Sequence, residues 1–235
     1  METKDRIIVA LDVDDLSKAA ALVDSLAEYV GCFKVGLQLL TAVGAPRVVD
    51  FVHSRGGEVF FDGKFADIPN TIAGASKAVS DLGVKMFNVH ASSGRKSVEA
   101  AVANKGESLV LGVTVLTSID ETECISIFGD TPGVKVMQFS EMLLDAKADG
   151  IICSPQELEF LGQNDELSSL FKMTPGVRPP WAALGDQKRV MTPAEAIKAG
   201  ATALVIGRPI TNPPKEIGSP LKAVMLIYEE IASVL

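Results

Sequence analysis

The sequence predicts a single-domain (β/α)8 barrel of the TIM type over residues 1–235, and three observations carry that expectation. Short β-rich apolar runs alternate with amphipathic helical patterns about eight times, which implies parallel strands joined by crossover helices. The 235 residues, 47% of them apolar, are enough for one large core, and α/β barrels of this length are commonly one domain. The ends of the strand runs are repeatedly polar or charged, as expected where barrel strands open onto a functional mouth. No Gly-x-Gly-x-x-Gly follows the first run, which weighs against a doubly wound dinucleotide fold. No linker, internal repeat or low-complexity tract interrupts the pattern.

The first strand run is Ile7–Val13, and the amphipathic stretch Leu16–Tyr29 follows it. The second and third strand runs are Phe33–Leu37 and Glu58–Lys64, the latter leading into the helical pattern Ile68–Leu82. Met86–His90 is the fourth, followed by helix Arg95–Ala103. Leu109–Leu116 is the fifth, and Lys135–Ala148 is the helix before the sixth, Gly150–Ser154. Lys172–Val177 and Ala203–Arg208 complete the set, with helices at Pro193–Ala199 and Pro220–Val234. Taken in order, the strand ends present Asp12, Lys34, Asp62 with Lys64, His90, Thr117, Ser154, Gly176 and Arg208. A purely structural barrel has no need of so many polar groups on one rim.

The densest of these segments is Asp62-Gly63-Lys64-Phe65-Ala66-Asp67-Ile68-Pro69-Asn70-Thr71. Residues two apart on a strand face the same side, so Asp62 and Lys64 are expected to point together. Asp67 and Thr71 fall four apart at the start of a helical pattern. Charges of both signs at the end of a buried strand are costly unless paired. The segment is therefore a candidate active site, although Asp62 and Lys64 as a plain ion pair with Asp67 as a helix cap would also satisfy it.

Bulk properties narrow the partners. A net charge of −8 and a pI near 4.9 argue against a general nucleic-acid or acidic-membrane binder. There is no signal-peptide pattern and no apolar run of membrane-spanning length. Cys32, Cys124 and Cys153 lack metal-like spacing and fit small core residues in a reducing cytoplasm. The two histidines, His53 and His90, form no zinc pattern.

A site for one small anion is compatible with that charge. Barrels often bind phosphate with the loops after strands 7 and 8, and here these read Thr174-Pro175-Gly176-Val177-Arg178 and Val205-Ile206-Gly207-Arg208-Pro209. Glycine lets the backbone approach an anion, arginine offers a planar fork of donors, and a following helix N-terminus adds its dipole. The long stretch 178–191, with Gly185-Asp186-Gln187 inside it, is expected to be either a lid on the phosphate side or an ordinary mobile loop. Asp12 either accepts from ribose-type hydroxyls or caps the next helix, and Lys34 can donate to such a hydroxyl. Thr117 and Ser118 either touch a ligand or cap a helix. His90 and Ser154 are left without an assigned role.

The stretch Val59–Ile72 matches the motif of the orotidine 5′-monophosphate decarboxylase family throughout. The resemblance extends to Ala10-Leu11-Asp12, Phe33-Lys34-Val35-Gly36, Val113–Ser118, Thr174–Arg178, Gly185–Pro193 and Ile206–Pro209, nearly the whole chain in order. The Asp-x-Lys-x-x-Asp core is shared with magnesium-dependent sugar-phosphate barrels, whereas Ile-Pro-Asn-Thr with Gly-Asp-Gln and Gly-Arg downstream is more specific. The bulky pair Pro180-Trp181 in the lid departs from the family pattern.

The resemblance implies a cofactor-free and metal-free carboxy-lyase of pyrimidine biosynthesis, converting orotidine 5′-monophosphate to uridine 5′-monophosphate and CO2. It implies that Lys64 donates a proton to C6 of the pyrimidine, and that Lys34, Asp62, Lys64 and Asp67 form an alternating charge network. Asp12 and Lys34 then face the ribose, and Thr117 lies near the base. Arg178, Gln187, Gly207 and Arg208 bind ligand, the last three around the phosphate. Asp67 and Thr71 complete the neighbouring site of a cytoplasmic homodimer. The competing expectations are a magnesium-dependent sugar-phosphate decarboxylase or aldolase, and a non-catalytic nucleotide-phosphate binder.

Overall fold

The computed structural model describes residues 1–182 and 191–235. Among them, eight parallel strands hydrogen-bond in sequence order and close on themselves, β1 pairing with both β2 and β8. In chain order the elements are β1 (Ile7–Ala10), α1 (Leu16–Leu26), β2 (Cys32–Gly36), α2 (Leu37–Val43), α3 (Ala45–His53), β3 (Val59–Phe65), α4 (Pro69–Asp81), β4 (Met86–His90) and α5 (Arg95–Ala103). The second half runs β5 (Leu109–Val113), α6 (Glu121–Phe128), α7 (Pro132–Asp145), β6 (Gly150–Ile152), α8 (Leu158–Gly162), β7 (Phe171–Pro175), α9 (Pro193–Lys198), β8 (Ala203–Ile206), α10 (Arg208–Thr211) and α11 (Pro220–Ala232).

The alternation of side chains along each strand builds two apolar compartments. Ile8, Ala10, Cys32, Phe60, Met86, Leu111, Met173, Ala203 and Val205 fill the barrel interior. The alternate positions, among them Ile7, Val9, Phe33, Val35, Phe61, Phe87 and Val89, pack outward against the helices. This parity positions the site. Lys34 shares the inward face with Cys32, Asp62 with Phe60, and Asn88 with Met86.

The expected strands are all present, but most stop short of their expected C-terminal ends. β1 ends at Ala10, β5 at Val113, β6 at Ile152, β7 at Pro175 and β8 at Ile206. Beyond these points pairing persists only as single bonds, such as Leu11 N–H to the Lys34 carbonyl at 3.0 Å and Cys153 N–H to the Met173 carbonyl at 3.1 Å, before the chain enters the loops of the mouth. The sequence reading also passed over α2, α3 and α6. α2 follows β2 directly as the run Leu37–Val43, so its apolar content merges with the strand. α6 carries local cues: the Asp120 carboxylate accepts from the Glu123 N–H at 2.9 Å, and Gly129 ends the helix in the left-handed conformation.

Candidate active site

The carboxylate of Asp62 lies at the centre of the barrel mouth and its residue is only 6% exposed. Its Oδ1 accepts from Lys64 Nζ at 2.6 Å and from Asn88 Nδ2 at 2.7 Å. Its Oδ2 faces Lys34 Nζ at 3.2 Å. A buried carboxylate is tolerated when donors replace the lost water, and Asp62 has donors on both oxygens. Lys34 Nζ also donates to Asp12 Oδ1 at 2.9 Å, so Asp12, Lys34, Asp62 and Lys64 form a continuous chain of alternating charge. Burial alone would lower the Lys34 pKa, but the adjacent Asp62 and Asp12 carboxylates outweigh it and hold the ammonium above its ordinary value.

Two glycines make room for this arrangement. A Cβ on Gly36 would stand 2.9 Å from Lys34 Nζ, and one on Gly63 would stand 2.5 Å from Phe61 Cε1. Lys64 itself departs from the simple strand geometry expected of it. Its φ is +49°, the left-handed region, and the β3–β4 register shifts between Phe61 and Phe65. A non-glycine residue held there costs on the order of 1–3 kcal/mol, and such strain persists where surrounding contacts enforce it. Here the Lys64 N–H donates to Asn88 Oδ1 at 2.7 Å. Asn88 thus contacts both Asp62 and Lys64 from β4, and the sequence reading missed it.

A cavity of about 160 Å³ opens beside these groups, lined by Lys34, Asp62 and Lys64 on one side and by Val113, Val115, Leu116, Thr117, Ser154, Pro175 and Val205 on the others. One wall is charged and the opposite wall is mostly apolar, which suits a flat organic ring with one polar edge. Thr117 is exposed at its lip. The cap of α6 is Asp120, so Thr117 and Ser118 do not fill that position. Asp15 caps α1 through Lys18 N–H at 2.9 Å, leaving Asp12 to its ion pair with Lys34. The Ser154 N–H donates to Glu157 Oε2 at 2.7 Å, giving Ser154 a turn-forming role beside the cavity. His90, at the end of β4, is half-buried. Burial first, and the Lys64 charge second, lower its pKa from the ordinary 6.5, against a weaker opposing pull from Asp62.

Gly207 is the residue before α10 and Arg208 is exposed at its start. Arg178 is buried, with Nη1 donating to the Val177 carbonyl at 2.9 Å. Its N–H donates to the Met191 carbonyl at 2.9 Å, which ties together the two ends of the expected lid. Trp181 packs against the outer core. Gln187 and residues 183–190 of that loop lie outside the described residues.

Asp67 and Thr71 are brought elsewhere. Both are exposed at the start of α4, and Asp67 Oδ1 accepts from the Ile68 N–H at 2.6 Å. The residue preceding α4 is Ile68, so Asp67 is not its cap. No ion pair joins Asp67 to Lys64 among the described residues. The segment borders an open cleft with Ser92–Ser97, beside the exposed Ile68. No group of three or more His, Cys, Asp or Glu side chains is placed to hold a metal ion among the described residues.

With this geometry in view, the chain matches the orotidine 5′-phosphate decarboxylase / HUMPS family over residues 5–218. The chain belongs to that family. Orotidine 5′-phosphate decarboxylase from Moorella thermoacetica is 44% identical over 245 residues, covering 100% of this chain and 95% of its own. The enzyme of that name from Halorhodospira halophila is 44% identical over 234 residues, covering 97% and 96%. Among solved structures, orotidine 5′-phosphate decarboxylase from Lactobacillus acidophilus superposes with a TM-score of 0.81 at 30% identity, covering 96% of this chain and 98% of that one. The ion chain therefore lies on a scaffold that the decarboxylase / HUMPS family shares over nearly its full length.

Proposed function

We propose that this chain is an orotidine 5′-monophosphate decarboxylase, releasing CO2 and forming uridine 5′-monophosphate in de novo pyrimidine biosynthesis. The observation that carries the reading is the buried Asp62 carboxylate held between two ammonium groups, Lys34 and Lys64, at the edge of a ring-sized cavity. Breaking the C6–carboxylate bond leaves its electron pair on C6, where the ring delocalises it poorly. A preorganised ammonium in a largely dry site stabilises that charge directly. Lys64 fills this role and then transfers its proton to C6, so the carbanion becomes the C–H of the product. Asp62 faces the departing carboxylate, whose negative charge is lost as CO2 leaves.

The remaining assignments follow from the resemblance. Asp12 and Lys34 bind the ribose hydroxyls, and Thr117 borders the base. Arg178, Gln187, Gly207 and Arg208 bind ligand, the last three around the phosphate. Binding energy from the phosphate, remote from C6, orients the ring and closes the 178–191 loop. The exposure of Asp67 and Thr71 supports a homodimer in which these two residues complete the neighbouring site. Among the described residues no helix is long and apolar enough to cross a membrane, and we place the enzyme in the cytoplasm with its nucleotide substrate. The reaction as proposed needs no cofactor.

The test is turnover of orotidine 5′-monophosphate by the purified protein in excess chelator, followed by ultraviolet absorbance. Conversion to uridine 5′-monophosphate is expected. No conversion by folded protein, with activity on sugar phosphates restored by magnesium, would reassign the chain to the metal-dependent branch of the barrel group.

A further inference from the structure

We infer that Asn88 is a positioning residue for this decarboxylation, acting through both Asp62 and Lys64; the inference rests on the function proposed above. Asn88 is fully buried in the middle of β4, on the inward face of the barrel. Its two amide atoms make different contacts. Nδ2 donates to Asp62 Oδ1 at 2.7 Å, and Oδ1 accepts the Lys64 N–H at 2.7 Å. A carboxylate only accepts and a backbone N–H only donates, so the orientation of the carboxamide follows from its partners. No other uncharged side chain of this size offers one donor and one acceptor with that spacing.

Each contact has a separate consequence for the chemistry. The bond to Asp62 fixes the rotation of the carboxylate, so that Oδ1 meets Lys64 and Oδ2 meets Lys34. Without it, a carboxylate between two ammonium groups is free to turn toward either one. The bond to the Lys64 N–H supports the left-handed backbone at that residue and the register shift in β3. That backbone sets where the Lys64 side chain leaves the strand, and hence where its ammonium stands relative to C6. Asn88 touches neither substrate nor proton in this account.

The alternative is that Asn88 only satisfies buried polar groups and holds the barrel together. The two roles separate in kinetics. A positioning role acts on kcat, because the ammonium and carboxylate are misplaced at the reacting carbon, while the remote phosphate contacts leave KM in place. We expect Asn88→Ala to lower kcat about 100-fold, the scale of a misplacement near 1 Å, with KM changed less than about threefold. Asn88→Asp supplies a sharper readout. The new carboxyl keeps an acceptor for Lys64 but sets a second carboxylate against Asp62. Burial and the like charge of Asp62 raise its pKa against the opposing pull of the Lys64 and Lys34 ammonium groups, and only its protonated form donates to Asp62. The kcat deficit of Asn88→Asp relative to the parent is therefore expected to shrink steadily as pH falls from 8 to 5.

The parent protein assayed alongside on orotidine 5′-monophosphate keeps the two ideas apart: failure of the parent to turn over sinks the proposed function, not the positioning role alone. With the parent active, the positioning role is overturned by kcat within about threefold of the parent in Asn88→Ala. It is equally overturned by a pH-independent deficit in Asn88→Asp. Loss of the folded barrel in both variants, seen by circular dichroism, would make Asn88 a structural residue and also ends the proposal.

Discussion

Two polar clusters at opposite ends of the barrel use the same residue types for different ends. At the floor, before β5 and β6, Lys105 Nζ lies 2.5 and 2.6 Å from the two oxygens of Asp149, and Asp149 Oδ2 also accepts the Val110 N–H at 2.8 Å. One cation meets one anion, and a backbone donor shares it. At the mouth, Asp62 meets two ammonium groups and the Asn88 amide. The floor cluster is locally balanced and closes on itself. The mouth holds more positive charge than its buried carboxylate offsets, and its other partner, Asp12, is largely solvent-facing. A lysine with one carboxylate partner that also lines a cavity, as Lys64 does, is suited to meeting a further anion, and a closed pair at the other end is suited to tying strands together.

The comparison breaks most sharply at Lys64. Lys64→Ala removes both the charge stabilising the C6 carbanion and the proton donor, so turnover should fall by about 10⁴-fold or more. The barrel should remain folded, with an unchanged circular dichroism spectrum. Near-normal turnover in that variant would end the proposed mechanism. Arg208→Ala comes next. Loss of the charge-assisted phosphate contact proposed for Arg208 should weaken uridine 5′-monophosphate binding by about 10- to 150-fold. Uridine itself should bind nearly as before, and titration calorimetry with both ligands measures the difference. Equal weakening of the two would move Arg208 away from the phosphate.

The floor gives the opposite pattern. Asp149→Ala strands a partly buried lysine and a backbone N–H, at a cost of about 2 kcal/mol. For a chain of this size that corresponds to a fall in Tm of about 4–8 °C. The folded variant should keep its kcat. A large loss of kcat at unchanged Tm would show that the two ends are coupled, and the division drawn here would fail.

How much of this could be read from the sequence follows the same physics. The strands and the charged motif were legible because strand parity and strand-end position are local properties. Lys34 and Asp62 come together as that parity requires, and β4 and α5 have the bounds expected for them. The left-handed turn at Lys64 was not legible, since no local signal marks a lysine for that conformation. Asn88 was hidden for a related reason. In Met86-Phe87-Asn88-Val89-His90 it is one polar residue in a strand, and its partners lie 24 and 26 positions away. The available clue was parity: Asn88 shares the inward face with Met86 and His90, and a buried amide there needs two partners. The helices α2 and α3 were obscured by apolar runs that continue from β2. Residues 183–190 of the expected lid, Gln187 among them, lie outside the described residues, so that part of the reading stands on sequence alone.

His90 gives the smallest expected effect, and it tests the mouth without touching the ion chain. Burial and the neighbouring Lys64 charge lower its pKa in the folded protein below the ordinary 6.5. Between its lowered value and 6.5, the unfolded chain binds more protons at this position than the native state does. Stability therefore falls as pH drops through that window, and the contribution levels off once the native imidazole also protonates. Well above 6.5 the imidazole is neutral in both states and has no effect on the slope. His90→Gln keeps a polar side chain of similar reach and cannot take up a proton. Its plot of Tm against pH should be flatter than the parent's just below 6.5 and parallel to it at higher pH. An unchanged slope would mean that the half-buried imidazole meets enough water at the mouth to hold its proton as readily as in the unfolded chain.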